Sequence, residues 1–387
     1  MENTVQKIRR LLDQEQIRYL SIVHSKAYSD EEITASDYNL GNELVDSVLI
    51  KINNQETVMV VVPSTRKISL ESLQKELNNT NISFIGKREM KLLFPNYEAG
   101  TMPPLGCLYN MPMYCTTELK KMQEVTFYSG TRAYRIRMKM KDFFHVAKPQ
   151  LYINADTTPR YRSEIYNVVP ANKKQTLNTY DSCILGLSLE NKNFVTAKLV
   201  GMIEWASRNF KSCIVLIGDS IHRHTLAIKG VEESYAYDKA LWLGREAIDI
   251  NNPVFQSYAE CCNINVILCS QVQTSTEYHK HYTALETLFN NNPDFARCLR
   301  SFADTFVERC ADPDSVQNKK NIHRSCTYLL EELAVFTCLS EQGHKVFLYP
   351  GALRALTEIA MNLHPDAPQA LKDLISIELK IKRCGSS

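Results

Sequence analysis

The residues best placed for chemistry surround Ser188. The run Gly186-Leu187-Ser188-Leu189-Glu190-Asn191 closes the apolar stretch Ser182-Cys183-Ile184-Leu185. A helical pattern follows at once, with Phe194, Ala197, Val200, Ile203 and Trp205 on its apolar side. A buried strand that turns sharply into a helix delivers the junction residue to the carboxyl edge of a sheet, where open α/β sheets bind ligands. Free helix N–H groups at such a junction favour developing negative charge. Ser188 is therefore a candidate nucleophile, although a serine at a helix start is also an ordinary capping residue. In Tyr328-Leu329-Leu330-Glu331-Glu332, Tyr328 and Glu332 stand one helical turn apart on one face. The apolar Leu333-Ala334-Val335-Phe336 follows, so that helix should be largely buried. Val346-Phe347-Leu348-Tyr349-Pro350 reads as a late strand ending at a tyrosine, and Val215-Leu216-Ile217-Gly218-Asp219 as a buried strand ending in a polar turn.

Other chemistries find less support. His222-x-His224 and His279-x-His281 lack a second ligand pair at metal-binding spacing, so no metal is expected. A Gly-x-Ser-x-Gly elbow would indicate an α/β hydrolase, but position 190 is glutamate. There is no phosphate loop and no GxGxxG, and no cofactor is expected.

The elements that position these residues follow from length and pattern. At 387 residues the chain should hold two domains. Breaks around Lys148-Pro149-Gln150 and Asp156-Thr157-Thr158-Pro159-Arg160 place a first domain at 1–150, a linker at 151–177 and a second domain at 178–387. Before the break the pattern gives a helix near 4–16, strands near 18–24, 44–52 and 56–63, and a helix near 69–78. After it come a strand at 181–187, a helix at 192–208, a strand at 212–218, a long helical region at 233–260, a strand at 263–270 and several helices. Strands separated by helices imply an α/β fold with a parallel sheet. A net charge of +2 gives no global nucleic-acid signature. The twelve cysteines include no CxxC, so reduced and mostly buried thiols are expected. The amino terminus is unlike a signal peptide, and no apolar run is long enough for a bilayer. The expectation is a cytoplasmic protein without a membrane partner.

Gly100-Thr101-Met102-Pro103-Pro104-Leu105-Gly106 is a loop stiffened by two prolines, with glycines that allow close backbone approach. Taken with Leu44-Val45-Asp46-Ser47-Val48-Leu49-Ile50-Lys51, Val60-Val61-Val62-Pro63 and Tyr128-Ser129-Gly130-Thr131, it resembles the YbaK and prolyl-tRNA-editing domain family over about 1–147. That family hydrolyses mischarged aminoacyl-tRNA without a metal. Its functional lysine aligns with Asp46, and its histidine after the Gly-Thr pair with Arg132. Lys51 is five residues away and points to the other strand face. Editing should therefore be weakened or lost, with tRNA recognition retained. In Tyr134-Arg135-Ile136-Arg137-Met138-Lys139-Met140-Lys141 strict alternation sets Arg135, Arg137, Lys139 and Lys141 on one ridge, suited to a phosphate backbone or to a solvated edge.

The later motifs, in order and spacing over roughly 178–365, resemble the tRNA-dependent cyclodipeptide synthases. The match includes Gly-x-Ser-x-x-Asn at 186–191, the Trp205 helix, Pro293-Asp294-Phe295-Ala296-Arg297-Cys298, the Tyr-x-x-x-Glu helix and Tyr349-Pro350. The resemblance implies a Rossmann-like parallel sheet with flanking helices, similar to class I aminoacyl-tRNA synthetase catalytic domains, and no ATP. It further implies ping-pong chemistry on aminoacyl-tRNAs through an aminoacyl-Ser188 and release of a diketopiperazine. Tyr328 and Glu332 would bind the substrate ammonium, Tyr349 would relay a proton, and Asn191 would hold the loop or the substrate. The first aminoacyl side chain would lie against Ile184, Gly186 and Val335, with Gly186 leaving space. The family's basic tRNA helix corresponds to about 233–258, which offers only Lys239 and Arg245 against Glu233, Asp238, Glu246 and Asp249. The first domain's cations would then supply tRNA contacts. Two alternatives remain open from sequence: an aminoacyl-tRNA hydrolase or editing factor, and a non-catalytic tRNA-binding protein.

Overall fold

A computed structural model describes residues 3–23, 43–95, 97–98, 100–154, 157–310, 315–352 and 354–384. The chain forms two compact units, one of the residues up to Arg160 together with Val195–Val200 and Cys384, the other of Tyr161–Phe194 and Gly201–Arg383.

The first unit is a mixed α/β body. Helix α1 (Thr4–Gln14) opens with a capping box, in which Asn3 Oδ1 accepts from Gln6 N and Gln6 Oε1 accepts from Asn3 N. Strand β1 (Tyr19–Val23) follows. The hairpin β2 (Val45–Ile52) and β3 (Glu56–Pro63) is almost wholly apolar along β3, which is buried from Val58 to Pro63. Next come β4 (Arg66–Ile68), α2 (Leu70–Glu76), β5 (Ile82–Phe84) and α3 (Lys87–Leu93). Then follow β6 (Met113–Thr116), β7 (Glu124–Tyr128), β8 (Tyr134–Lys139), α4 (Met140–Ala147), β9 (Leu151–Ile153) and β10 (Thr157–Pro159). A five-stranded sheet runs β5-β2-β3-β6-β9, antiparallel around β2 and parallel from β3 to β9. A three-stranded antiparallel sheet runs β1-β8-β7. One core joins Ile8 and Leu12 of α1 to Phe127 of β7, Ile136 of β8 and Phe143 of α4.

The second unit is a six-stranded sheet in the order β11-β16-β15-β12-β13-β14. Its strands are β11 (Tyr161–Val169), β12 (Ser182–Leu187), β13 (Ser212–Ile217), β14 (Asn263–Leu268), β15 (Val346–Tyr349) and β16 (Ile375–Arg383). All pairs are parallel except β11 with β16. The helices used below are α5 (Thr196–Asn209), α6 (His222–Ile228), α7 (Glu233–Ser257), α8 (Thr276–Asn291), α9 (Pro293–Cys310), α10 (Ser315–Glu341) and α11 (Arg354–Ala360). Strands β12 and β13 are buried from their second residue on, as apolar runs covered on both faces require. The main core gathers Ile184, Ile214 and Phe347 from the sheet with Leu285, Phe295, Leu333 and Phe336 from the helices.

The stretch 151–177, expected as a linker, instead carries β9, β10, β11 and a 3-10 run at Ala171–Thr179. Pro159 breaks helical periodicity but is tolerated at the end of a short strand. Strand β11 lies at a sheet edge and mixes polar and apolar residues without a strict period, so it does not read as a strand.

Candidate active site

Strands are added outward from β12 in two directions, to β13 and β14 on one side and to β15 and β16 on the other. Ligands in open α/β sheets bind where the order reverses in this way, outside the carboxyl ends of the strands. Ser188 follows the last residue of β12, and Tyr349 is the last residue of β15. Their hydroxyls lie 2.9 Å apart. Asn191 Nδ2 donates to the same Tyr349 oxygen at 3.4 Å. The Asn191 side chain also shapes its own turn by accepting from Asn193 N at 2.9 Å.

Helix α10 supplies the other wall. Tyr328 stands beside Ser188 and beside Glu332, one turn further along, and interacts with both. The Ser188 hydroxyl thus lies between two phenols, and a carboxyl group closes the network. Ser188, Asn191, Tyr328, Glu332 and Tyr349 are all half-buried. Burial raises the Glu332 carboxyl to about 7, against the opposing effect of the Tyr328 hydrogen bond. Burial also pushes the Tyr349 phenol up to about 12 and holds Tyr328 well above its ordinary value. Both phenols are therefore neutral donors at physiological pH. Such a set can hold a neutral hydroxyl in one orientation, exchange its proton along a short chain, and bind a cation once Glu332 ionises.

The side-chain pocket expected at Ile184, Gly186 and Val335 is different. Ile184 and Val335 are fully buried members of the core. A Cβ at Gly186 would stand 2.7 Å from Phe347 Cζ, so the missing side chain makes room for the Phe347 ring and not for substrate. The cleft that opens beside Glu332 is lined by Phe302, Leu329, Leu333, Phe336 and Leu356, with Arg354 among its walls. No motif singles out Phe302 or Arg354, because only the packing of α9, α10 and α11 brings them to Glu332.

The four-cation ridge also differs. Strand β8 is the middle strand of its sheet, so cross-strand neighbours cover it. Arg135 is 1% exposed, with its guanidinium 4.9 Å from the Tyr128 ring centre and Nη2 donating to Tyr128 Oη at 3.2 Å. Arg137 is paired with Glu43 and Glu124. Lys139 ends the strand and Lys141 lies in α4, both exposed. On α7, Lys239 is half-buried and Arg245 exposed, and Glu233 of the same helix binds Arg324 at 2.8 Å.

Elsewhere in the first unit, Asp46 is ion-paired with Arg160, and Lys51 with Glu89. Ser47 Oγ donates to Met102 O at 3.0 Å and ties β2 to the proline-rich loop. A Cβ at Gly106 would meet Met111 O at 2.5 Å, the close approach that this glycine permits. The two histidines of His222-x-His224 face carboxylates, Glu190 and Glu331. Cys298, Glu358 and His364 come together as three groups that could hold a metal. Glu358 is occupied there by Arg354 at 2.9 Å and His364 at 3.2 Å, and burial pushes the Cys298 thiol up to about 12. The cluster is an ion-paired hub joining α9 to α11. Among the described residues no helix is long and apolar enough to cross a membrane.

Residues 31–145 match the model of the aminoacyl-tRNA editing domain family, and residues 169–341 match that of the cyclodipeptide synthase family. Among solved structures, a cyclodipeptide synthase from Fluoribacter dumoffii is 19% identical with a TM-score of 0.49, covering 57% of this chain and 98% of its own. One from Bacillus thermoamylovorans is 16% identical with a TM-score of 0.47, covering 57% of this chain and 98% of its own. AlbC, a cyclodipeptide synthase from Streptomyces noursei, is 16% identical with a TM-score of 0.38, covering 50% of this chain and 87% of its own. No curated protein matches the sequence. The chain thus carries an aminoacyl-tRNA editing domain followed by a cyclodipeptide synthase domain.

Proposed function

We propose that the protein joins two aminoacyl groups from aminoacyl-tRNAs into a diketopiperazine, through an aminoacyl ester on Ser188. The observation that carries this reading is the Ser188 hydroxyl 2.9 Å from Tyr349 Oη, with Tyr328 beside it and Glu332 one turn along the same helix from Tyr328. Glu332 accepts the substrate ammonium, since a half-buried cation needs a carboxylate partner. Ser188 Oγ attacks the ester carbonyl, the bond to the ribose oxygen breaks, and that oxygen takes the serine proton through the phenol network. Aminoacyl esters are already activated, so a serine without a strong base suffices. The amine of the second aminoacyl-tRNA then displaces Ser188 and leaves a dipeptidyl ester on the second tRNA. Its free amine closes the ring and releases that tRNA. Tyr349, on Ser188 and Asn191 together, is suited to carry protons in these steps. Lys139 and Lys141, with Lys239 and Arg245, are the exposed or half-exposed cations assigned to tRNA.

The test is mass spectrometry after incubation with a complete set of charged tRNAs, for wild type and Ser188→Ala. A cyclic dipeptide from wild type alone, with an aminoacyl adduct on Ser188, is the expected result. Free amino acid without cyclic product would make the protein a hydrolase. Neither product would overturn the Ser188 assignment.

A further inference from the structure

Two carboxylates beside the site are each held by the same short segment. Glu190 lies two residues after Ser188, and its backbone is left-handed, with φ +53. L side chains with a Cβ rarely adopt that conformation, so something outside the turn must hold it. Glu190 Oε2 lies 2.9 Å from Lys229 Nζ and 3.3 Å from His222 Nε2. Glu331 stands between Tyr328 and Glu332 on α10 and has partners of its own. Its carboxylate receives Arg223, with His224 Nε2 at 3.3 Å. Arg223 is fixed in turn, because its Nη1 donates to Ser220 O at 2.8 Å. Consecutive residues His222, Arg223 and His224 therefore reach in two directions.

We infer that His222-Arg223-His224, with Lys229, is a clamp that sets the Ser188 turn against the Tyr328–Glu332 helix by way of Glu190 and Glu331. These are positioning residues, since none of them touches Ser188, Tyr328 or Tyr349 in the contacts described. Burial differs sharply between the arms, with side-chain exposure of 37% at Glu190 and 7% at Glu331. Both carboxyls are held low, Glu190 at about 2 chiefly by its His222 hydrogen bond. Glu331 is held down by His224 and Arg223 against the burial that opposes them. Both arms therefore stay ion-paired over the whole physiological range. The clamp accounts for a histidine pair that has no metal-site spacing. It also accounts for a glutamate in a backbone position that favours glycine.

The inference rests on the acyl-enzyme reading, and one experiment separates the two. Single-turnover acylation of Ser188 by aminoacyl-tRNA is measured for wild type, Glu190→Gln, Arg223→Ala and Arg223→Lys, alongside melting temperature. Misplacing a reacting group by a fraction of an ångström slows the step without weakening binding, so Glu190→Gln and Arg223→Ala should acylate about tenfold or more slowly at saturating tRNA. Half-saturation should stay within about twofold, as lost positioning and not lost binding requires. Arg223→Lys, which keeps the charge, should recover part of the rate. Unchanged acylation in both variants overturns the clamp, and so does a defect confined to half-saturation. If Arg223→Ala fails to fold, Glu190→Gln alone decides, since it alters one partly exposed carboxylate. Wild type that forms no ester overturns the acyl-enzyme reading and the clamp with it.

Discussion

Adjacent residues on α10 meet opposite electrostatic fates. Glu331 finds Arg223 and His224 and stays charged, whereas Glu332 finds only a phenol and is raised from 4.5 to about 7. Folding thus favours the protonated Glu332. That stabilisation is complete below about pH 4.5 and fades as pH rises through about 7. Glu332→Gln is neutral at every pH, so its melting temperature relative to wild type should climb between pH 5 and pH 8. The shift corresponds to no more than about 3 kcal/mol, reduced because Glu332 keeps partial exposure along the cleft. A difference that is flat across this range would show that Glu332 is not raised. The same variant should lose roughly a hundredfold or more in rate at low substrate, because an amide cannot pair with an ammonium. Ser188 and Tyr349 are legible in the sequence because each closes an apolar strand, and the strand end fixes its address. Gly186 is misread by the same logic. A glycine beside a nucleophile looks like room for substrate, and only the neighbouring strand reveals the ring that fills it.

Elements are legible where their hydrophobic period is unmixed. Strands β12, β13 and β15 stand out as apolar runs, and the helix bounds fall within a few residues of the pattern. Strand β11 is not legible, because an edge strand mixes polar and apolar residues and follows a proline. Strand β8 fails in another way. Its alternation is real, but the chain enters α4 at Met140, so Lys141 leaves the ridge. Arg135 stands directly opposite Tyr128 on the neighbouring strand β7 and packs on its ring. The two groups of cations should therefore separate by experiment. Replacing Lys139 and Lys141 together by alanine should weaken tRNA binding and reduce its salt slope by about 1–2, with melting unchanged. Arg135→Ala should instead cost about 2 kcal/mol of stability through the lost buried stacking. Filter binding across a salt series, with thermal melts beside it, reads both. A tRNA affinity insensitive to the lysine pair would remove β8 and α4 from the tRNA surface.

At the scale of the whole molecule, length indicates two bodies, and the structure forms two units that part mainly after Arg160, with Val195–Val200 and Cys384 joining the first. Residues 31–145 match the editing-domain family, and the resemblance read from the sequence puts that family's lysine at Asp46. The Asp46 carboxylate is satisfied by Arg160, so no free ammonium is presented at that position. The full-length Ser188→Ala protein should accordingly release amino acid from mischarged tRNA no faster than buffer. Release clearly above buffer would mean that the first body still deacylates. A net charge of +2 hides all of this, because cations and carboxylates are interspersed over both bodies.

The Phe347 ring that occupies the gap at Gly186 also lies 4.4 Å, centre to centre, from the Phe336 ring of α10. Three positions far apart in sequence therefore share one volume. A methyl group gained at 186 must be surrendered at 347 or 336, so these sites are free to drift only in concert. Their shared packing, more than any single residue among them, keeps β12, β15 and the Tyr328–Glu332 helix in step.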